Sequence, residues 1–257
     1  MNVDFGKAAA DYAKHRAGFP DAFFERVFAM DAVRRADRVL DLGTGTGTLA
    51  RGFAARGCDA VGLDRSSALL DEARDLDSRA GVSVRYVEGL AEELPFAAAS
   101  FDVVCAGQCW HWFDRPRVAA QAHRVLVPWG RLVIAHFDWI PLSGNVVAAT
   151  EGLIERHNPQ WKMGGGNGIH AYELADAANA GFVNVESFSF DVGVGYTQEA
   201  WRGRIRASAG VAASLSPAGV AAFDEELAAL LRQGFPKVLS VPHRVWCVVS
   251  RVRKPPA

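Results

Sequence analysis

Short, almost wholly apolar runs alternate along the first half of the chain with longer stretches whose apolar residues recur at helical spacing. The runs predict strands over 38–42, 60–64, 82–88, 101–107 and 130–136, with helices near 47–56, 67–80 and 114–126. Stretches such as Val103-Val104-Cys105-Ala106 and Leu132-Val133-Ile134-Ala135 do not alternate in polarity, so both faces of those strands are covered. Strands of this kind, separated by helices, predict a parallel, doubly wound α/β sheet.

After Ile140 the alternation breaks. A helix is expected near 145–157, then a flexible loop around Gly164-Gly165-Gly166-Asn167-Gly168 bordered by His157, Trp161 and His170. A helix near 172–180 leads to a sixth strand at 183–191, and helices follow near 197–212 and 217–233. In the last of these Ser216 caps, Pro217 starts and Gly234 stops, while Val220, Phe223, Leu227, Leu230 and Leu231 mark a core face. A strand at 244–252 closes the chain. The expected fold is a seven-stranded, mostly parallel, Rossmann-like sheet with an antiparallel last strand. Residues 192–242 are too long for a hairpin loop and are expected to form a helical lid.

Residues 39–47 read Val-Leu-Asp-Leu-Gly-Thr-Gly-Thr-Gly, a strand running into three glycines and then a helix. Glycines there allow a sharp turn and the close approach of a ligand to the main chain. Asp41 lies two residues before the first glycine. A carboxylate at that point repels a pyrophosphate and suits a cation, and the nucleoside cofactor with a cationic end is S-adenosylmethionine. A second strand ends in Asp64, 23 residues after Asp41, near the spacing expected for an acid that binds ribose hydroxyls. Either feature alone is as well read as a tight connection or a helix cap; together they point to a nucleoside site.

These residues resemble the class I S-adenosylmethionine-dependent methyltransferases, in particular the type 11 group that includes trans-aconitate methyltransferases. The resemblance covers roughly residues 1–140. It implies a single methyltransferase domain over 1–257, with a helical cap at 1–35, a cofactor-binding core at 36–140, and lid insertions and C-terminal strands at 141–257. It also implies that Gly43, Thr44, Gly45 and Gly47 wrap the methionine part of the cofactor, that Asp41 lies near its amino group, and that Asp64, followed by Arg65, holds the ribose. The loop Glu88-Gly-Leu-Ala-Glu-Glu-Leu-Pro-Phe96 matches the adenine side, with Leu90 where many members carry an aspartate; Ala91 and Glu92 follow. Gly107, Gln108 and Trp112 fall on the cofactor face after strand four. Tyr12 and Arg16, in a segment like one that closes over the cofactor, are expected at its carboxylate. Trp129 stands where relatives have a glycine, which predicts an unusual turn or a packed aromatic.

In-line methyl transfer depends mainly on orientation, with a general base needed when the acceptor is protonated. His111 and His136 follow expected strand ends and are the candidate catalytic residues. Trp110, Asp138, Trp139, His170 and the pair Arg202 and Arg206, which share a helix face, are candidates for the acceptor, the arginines for an anionic one. S-adenosylhomocysteine is the expected product. Three rivals stay open: a nicotinamide-dependent oxidoreductase, which would favour Gly-x-Gly-x-x-Gly, a reaction on the same fold other than methylation, and a non-catalytic binding module.

Composition narrows the picture. Half the residues are apolar, and 28 basic residues nearly balance 29 acidic ones, so no basic excess points to nucleic acid. Cys105, Cys109 and His111 cluster without metal-ligand spacing, and the four cysteines fit a reducing compartment. No metal is expected. The expectation is a cytoplasmic enzyme, monomer or homodimer, with a small-molecule partner and no membrane span.

Overall fold

The computed structural model describes residues 18–253 apart from 209 and 213. Seven strands form one mostly parallel sheet in the order β3-β2-β1-β4-β5-β7-β6. The strands are β1 (Arg38–Leu42), β2 (Asp59–Asp64), β3 (Arg85–Glu88), β4 (Phe101–Gly107), β5 (Leu126–Trp139), β6 (Val183–Thr197) and β7 (Val238–Arg251). The helices are α1 (Asp21–Ala29), α2 (Thr48–Ala54), α3 (Ser67–Ala80), α4 (Arg115–Val125), α5 (Val146–His157), α6 (Tyr172–Asn179), α7 (Gln198–Arg206) and α8 (Pro217–Gly234). β1 pairs in parallel with β2 and β4, and so do β2 with β3 and β4 with β5. The order reverses between β2 and β4 around β1, which makes the carboxyl end of β1 the place where such sheets bind ligands.

Several boundaries differ from the sequence expectation. β5 runs to Trp139, so His136 lies within a strand and not after it. β6 reaches Thr197 and β7 starts at Val238, so strand takes up both ends of the segment expected as a lid, and its helices occupy only 198–206 and 217–234. β7 sits between β5 and β6. Trp129 adopts φ +64°, a left-handed conformation that bulky residues avoid, and donates its N–H to Val252 O. The β4–β5 register slips at the same place, from Phe101↔Leu126 to Val103↔Arg131, so the unusual turn is a bulge inside β5.

The chain divides into two compact units. One holds Gly18–Phe137, His170–Ser189 and the chain from Val245. Its core is the apolar strand set Val39, Leu40, Leu42, Val103, Val104, Leu132, Val133 and Ile134, all fully buried. The other holds Asp138–Ile169 and Phe190–Arg244, packed around Leu153, Trp201, Ile205, Phe223, Leu227 and Leu231. The periodicity of α8 is realised there: Phe223, Leu227 and Leu231 are buried. The glycine-rich segment of this unit is pinned: Gly165 N donates to Glu151 Oε2 at 2.9 Å, and Asn158 Nδ2 to Gly210 O at 3.0 Å. Among the described residues no helix is long and apolar enough to cross a membrane. Tyr12 and Arg16 lie outside the described residues.

Candidate active site

The loop after β1 is built from three left-handed glycines, Gly43, Gly45 and Gly47, at φ +59°, +56° and +79°. Their surroundings differ. A Cβ on Gly43 would press on Cys109 Sγ at 3.0 Å, and one on Gly47 would collide with the Tyr86 hydroxyl. At Gly45 a Cβ would meet no described atom within 4 Å. Gly43 and Gly47 therefore serve packing and the turn, whereas the Cβ side of Gly45 is open among the described residues.

Two carboxylates brace this loop. Asp41, 1% exposed, accepts the Thr44 hydroxyl at 2.6 Å and the Ala50 amide at 3.2 Å on Oδ2, and the Cys105 thiol faces Oδ1 at 3.5 Å. Burial pushes its carboxyl up to about 7, against the downward pull of those bonds. Asp64, at the end of β2, accepts the Gly45 amide at 2.8 Å and the Ser66 amide at 2.9 Å. Ser66 in turn caps α3 by accepting from Leu69 N. The β3 loop joins the same place, since Gly89 N donates to Asp64 O at 3.0 Å. Beyond it Leu90 lies exposed and Ala91 buried, and Glu92 accepts from the Asp114 amide. Arg65 points into solvent.

The loop after β4 supplies a second wall. A Cβ on Gly107 would clash with Leu49 at 2.6 Å, so the backbone passes close over α2 there. Gln108 takes φ +63°, strained for its type. It is held by its amide donating to Ala135 O at 2.8 Å and its side chain donating to Phe137 O. The turn Trp110–Trp112 splits the aromatic cluster. Trp110 is fully buried with its indole N–H on Asp176 at 3.0 Å, which Arg115 also binds, whereas Trp112 is 38% exposed.

The registers set the depth of the histidine. Leu42, Ala106 and Ile134 lie level, and Gly107 pairs with Ala135. His136 thus stands two steps past the end of β1 and one past the end of β4, even though β5 continues. Its Nε2 lies 2.6 Å from Glu173 Oε1, both side chains almost wholly buried. Trp246 Nε1 donates to the other carboxylate oxygen at 3.1 Å. His170 stacks on the His136 ring with centroids 3.7 Å apart, and His111 lies at 5.6 Å. Three of the sequence candidates, His111, His136 and His170, are therefore neighbours. Glu173 and Trp246 were missed. The available signal was a carboxylate at 173 four residues before Ala177, on the buried face of α6.

The remaining candidates belong to the other unit. Asp138 and Trp139 end β5, with Trp139 Nε1 donating to Glu151 Oε1 at 2.8 Å. Arg202 and Arg206 do share a face, but both are tied to Asp224, and each also reaches Glu199.

Comparison with known proteins accords with this loop. Residues 40–134 match the family described as "Methyltransferase domain". The match spans β1 to the middle of β5. An uncharacterised methyltransferase of Mycobacterium bovis is 37% identical over 153 residues, which is 57% of this chain and 60% of that relative. The YcgJ protein of Bacillus subtilis shares the fold at a TM-score of 0.58 and 19% identity, covering 90% of this chain and 98% of that one. Phosphoethanolamine N-methyltransferase 2 of Haemonchus contortus does so at 0.59 and 19%, covering 98% and 61%. The glycine loop, both carboxylates and most of β5 lie inside the matched residues, and Glu173, Trp246, α7 and α8 outside them.

Proposed function

We propose that the protein transfers the methyl group of S-adenosylmethionine to an oxygen or nitrogen of a small molecule, with S-adenosylhomocysteine as product. The observation that carries this reading is the half-buried backbone at Gly45, whose Cβ side no described atom covers, beside two carboxylates that no described cation pairs with. That donor set fits a nucleoside with sugar hydroxyls and a cationic end, and disfavours a pyrophosphate. The Haemonchus contortus neighbour is described in complex with S-adenosylhomocysteine, which agrees. The near-zero net charge suits a small partner over a nucleic acid, and the reading includes a cytoplasmic monomer or homodimer.

In this reading Asp64 binds the ribose hydroxyls, exchanging its bond to the Gly45 amide for them. Asp41, walled in by Thr44, Ala50 and Cys105, acts mainly by holding the loop in shape. Gly43, Thr44, Gly45 and Gly47 frame the methionine end, and Leu90, Ala91 and Glu92 the adenine. Gly107, Gln108 and Trp112 form the wall after β4. When bound, S-adenosylmethionine supplies a methyl group on a good leaving group, so the protein's task is alignment and proton removal. Glu173 fixes the orientation of His136 and stabilises the imidazolium that forms when the ring takes a proton.

A thermal-shift comparison tests the reading. S-adenosylmethionine and S-adenosylhomocysteine at a hundred times their dissociation constants are expected to stabilise the protein by about 2.7 kcal/mol. A shift with NAD and none with either sulfur nucleoside overturns it.

A further inference from the structure

Helix α7 carries three arginines in alternate positions, and the structure treats them differently. Arg202 and Arg206 are neutralised by Asp224 and Glu199, with the Arg206–Asp224 bond at 2.9 Å and Arg202–Glu199 at 2.7 Å. Arg204 makes no hydrogen bond and no ion pair with any described residue. It lies half-buried, three residues on from the fully buried Trp201 and beside the fully buried Ile205, so it leans toward the core face that Arg202 and Arg206 avoid. Its guanidinium lies over the Trp139 ring at 4.8 Å.

The groups around Arg204 do not replace a counter-ion. Tyr196 and Asp138 act on its charge from a distance, while loss of water holds its pKa below the usual arginine value. Buried His243, stacked near Tyr196 at 6.2 Å, is pushed down to about 4 by burial and by the Arg204 charge, so it is neutral at pH 7. The Glu151 carboxylate spends both oxygens on neutral donors, Trp139 Nε1 and Gly165 N. A partly desolvated guanidinium on an aromatic face with its fork unspent is costly by itself and well suited to a planar anion.

The geometry points to Arg204 as a residue that binds the free carboxylate of a small molecule by a two-pronged charge-assisted bond, with the rings of Trp139, Tyr196 and His243 around it. The binding belongs to the second unit alone and does not depend on the methyltransferase reading. Arg202 and Arg206 serve structure.

Tryptophan fluorescence and saturation-transfer NMR on the full chain, with a panel of aromatic and aliphatic carboxylates (benzoate, salicylate, cinnamate, fumarate) and their primary amides, test it. At least one carboxylate is expected to bind, with its amide at least tenfold weaker. Arg204→Gln is expected to remove that preference, and Arg204→Lys, which keeps charge but loses the fork, to retain part of it. S-adenosylmethionine affinity should not change in either variant, and unchanged thermal midpoints show that α7 remains packed. Equal binding of acids and amides, no binding by any carboxylate, or a preference that survives Arg204→Gln overturns the proposal. Loss of S-adenosylmethionine binding in the wild type, with carboxylate binding intact, instead overturns the methyltransferase reading and leaves this one standing.

Discussion

The glycine loop after β1 and the α7 helix of the second unit both place charged side chains where water is scarce, and they resolve the cost in opposite ways. At the loop, the carboxylates Asp41 and Asp64 are satisfied by hydroxyl and backbone donors, and no described cation pairs with either. On α7, two arginines are matched by carboxylates drawn from elsewhere in the chain, and a third is not. The first pattern leaves the Asp64 carboxylate unmatched by any described cation and so available to a ligand. The second spends its charges on tying α7 to α8, and leaves one cation in reserve. Counting charges in either region would miss this; what matters is whether a charge is answered by a dipole or by another charge.

The largest effect that can break the comparison lies next to the loop. If His136 is a base held by Glu173, His136→Ala should lower kcat by about 10²–10⁴-fold with little change in S-adenosylmethionine affinity. Glu173→Gln should retain the hydrogen bond but lose the charge, giving a smaller loss. Rapid-quench kinetics measure both, and an unchanged kcat in His136→Ala removes the histidine from the chemistry.

Next in size is the pH dependence of Asp41. Its folded-state pKa of about 7 lies above the unfolded value near 3.8, so the folded protein holds that proton more tightly. Its contribution to stability is fully present below pH 3.8 and is lost as pH rises through 7, amounting to about 4 kcal/mol. Asp41→Asn keeps an acceptor for Thr44 and Ala50 and should flatten that slope, standing level with wild type near pH 4 and above it at pH 8. Denaturant unfolding across this range decides, and parallel curves would show that Asp41 is ionised throughout.

The glycines sharpen the loop side. Gly47→Ala must adopt φ +79° and displace the Tyr86 hydroxyl, at about 2–4 kcal/mol of stability. Gly45→Ala suffers the backbone strain alone, about 1–2 kcal/mol, but its new methyl stands where the ligand approaches, so affinity should fall further than stability. Equal losses of stability in the two variants would contradict the division of roles. The smallest effect belongs to α7: Arg202→Met should cost about 1 kcal/mol and leave S-adenosylmethionine affinity unchanged.

How much of this the sequence disclosed follows the same division. The loop was legible because its parts are close in sequence: glycines, Asp41 and Asp64 all sit within one β-α-β unit whose geometry the motif dictates. The sheet was legible because buried parallel strands leave unbroken apolar runs such as Val103–Ala106. Strand ends were less so. β5 reaches Trp139 and β7 begins at Val238, beyond the unbroken apolar runs, and in the first half of β7 buried positions alternate with exposed or half-exposed ones. Glu173 and Arg204 were invisible for another reason. Each is one polar residue on an otherwise apolar helix face, and its meaning depends on partners such as His136 or Trp139, 37 and 65 residues away in sequence. The pair Arg202 and Arg206 caught the eye by spacing alone, and spacing does not reveal Asp224.

Calorimetric titration of S-adenosylmethionine into wild type and Asp64→Ala bears most directly on the claim that the sulfur nucleoside lies against the first crossover with its sugar on the β2 carboxylate. The account predicts a loss of about 1.5–3 kcal/mol in binding, roughly a 10- to 150-fold weaker dissociation constant, with folding intact. An affinity equal to that of the wild type would contradict it.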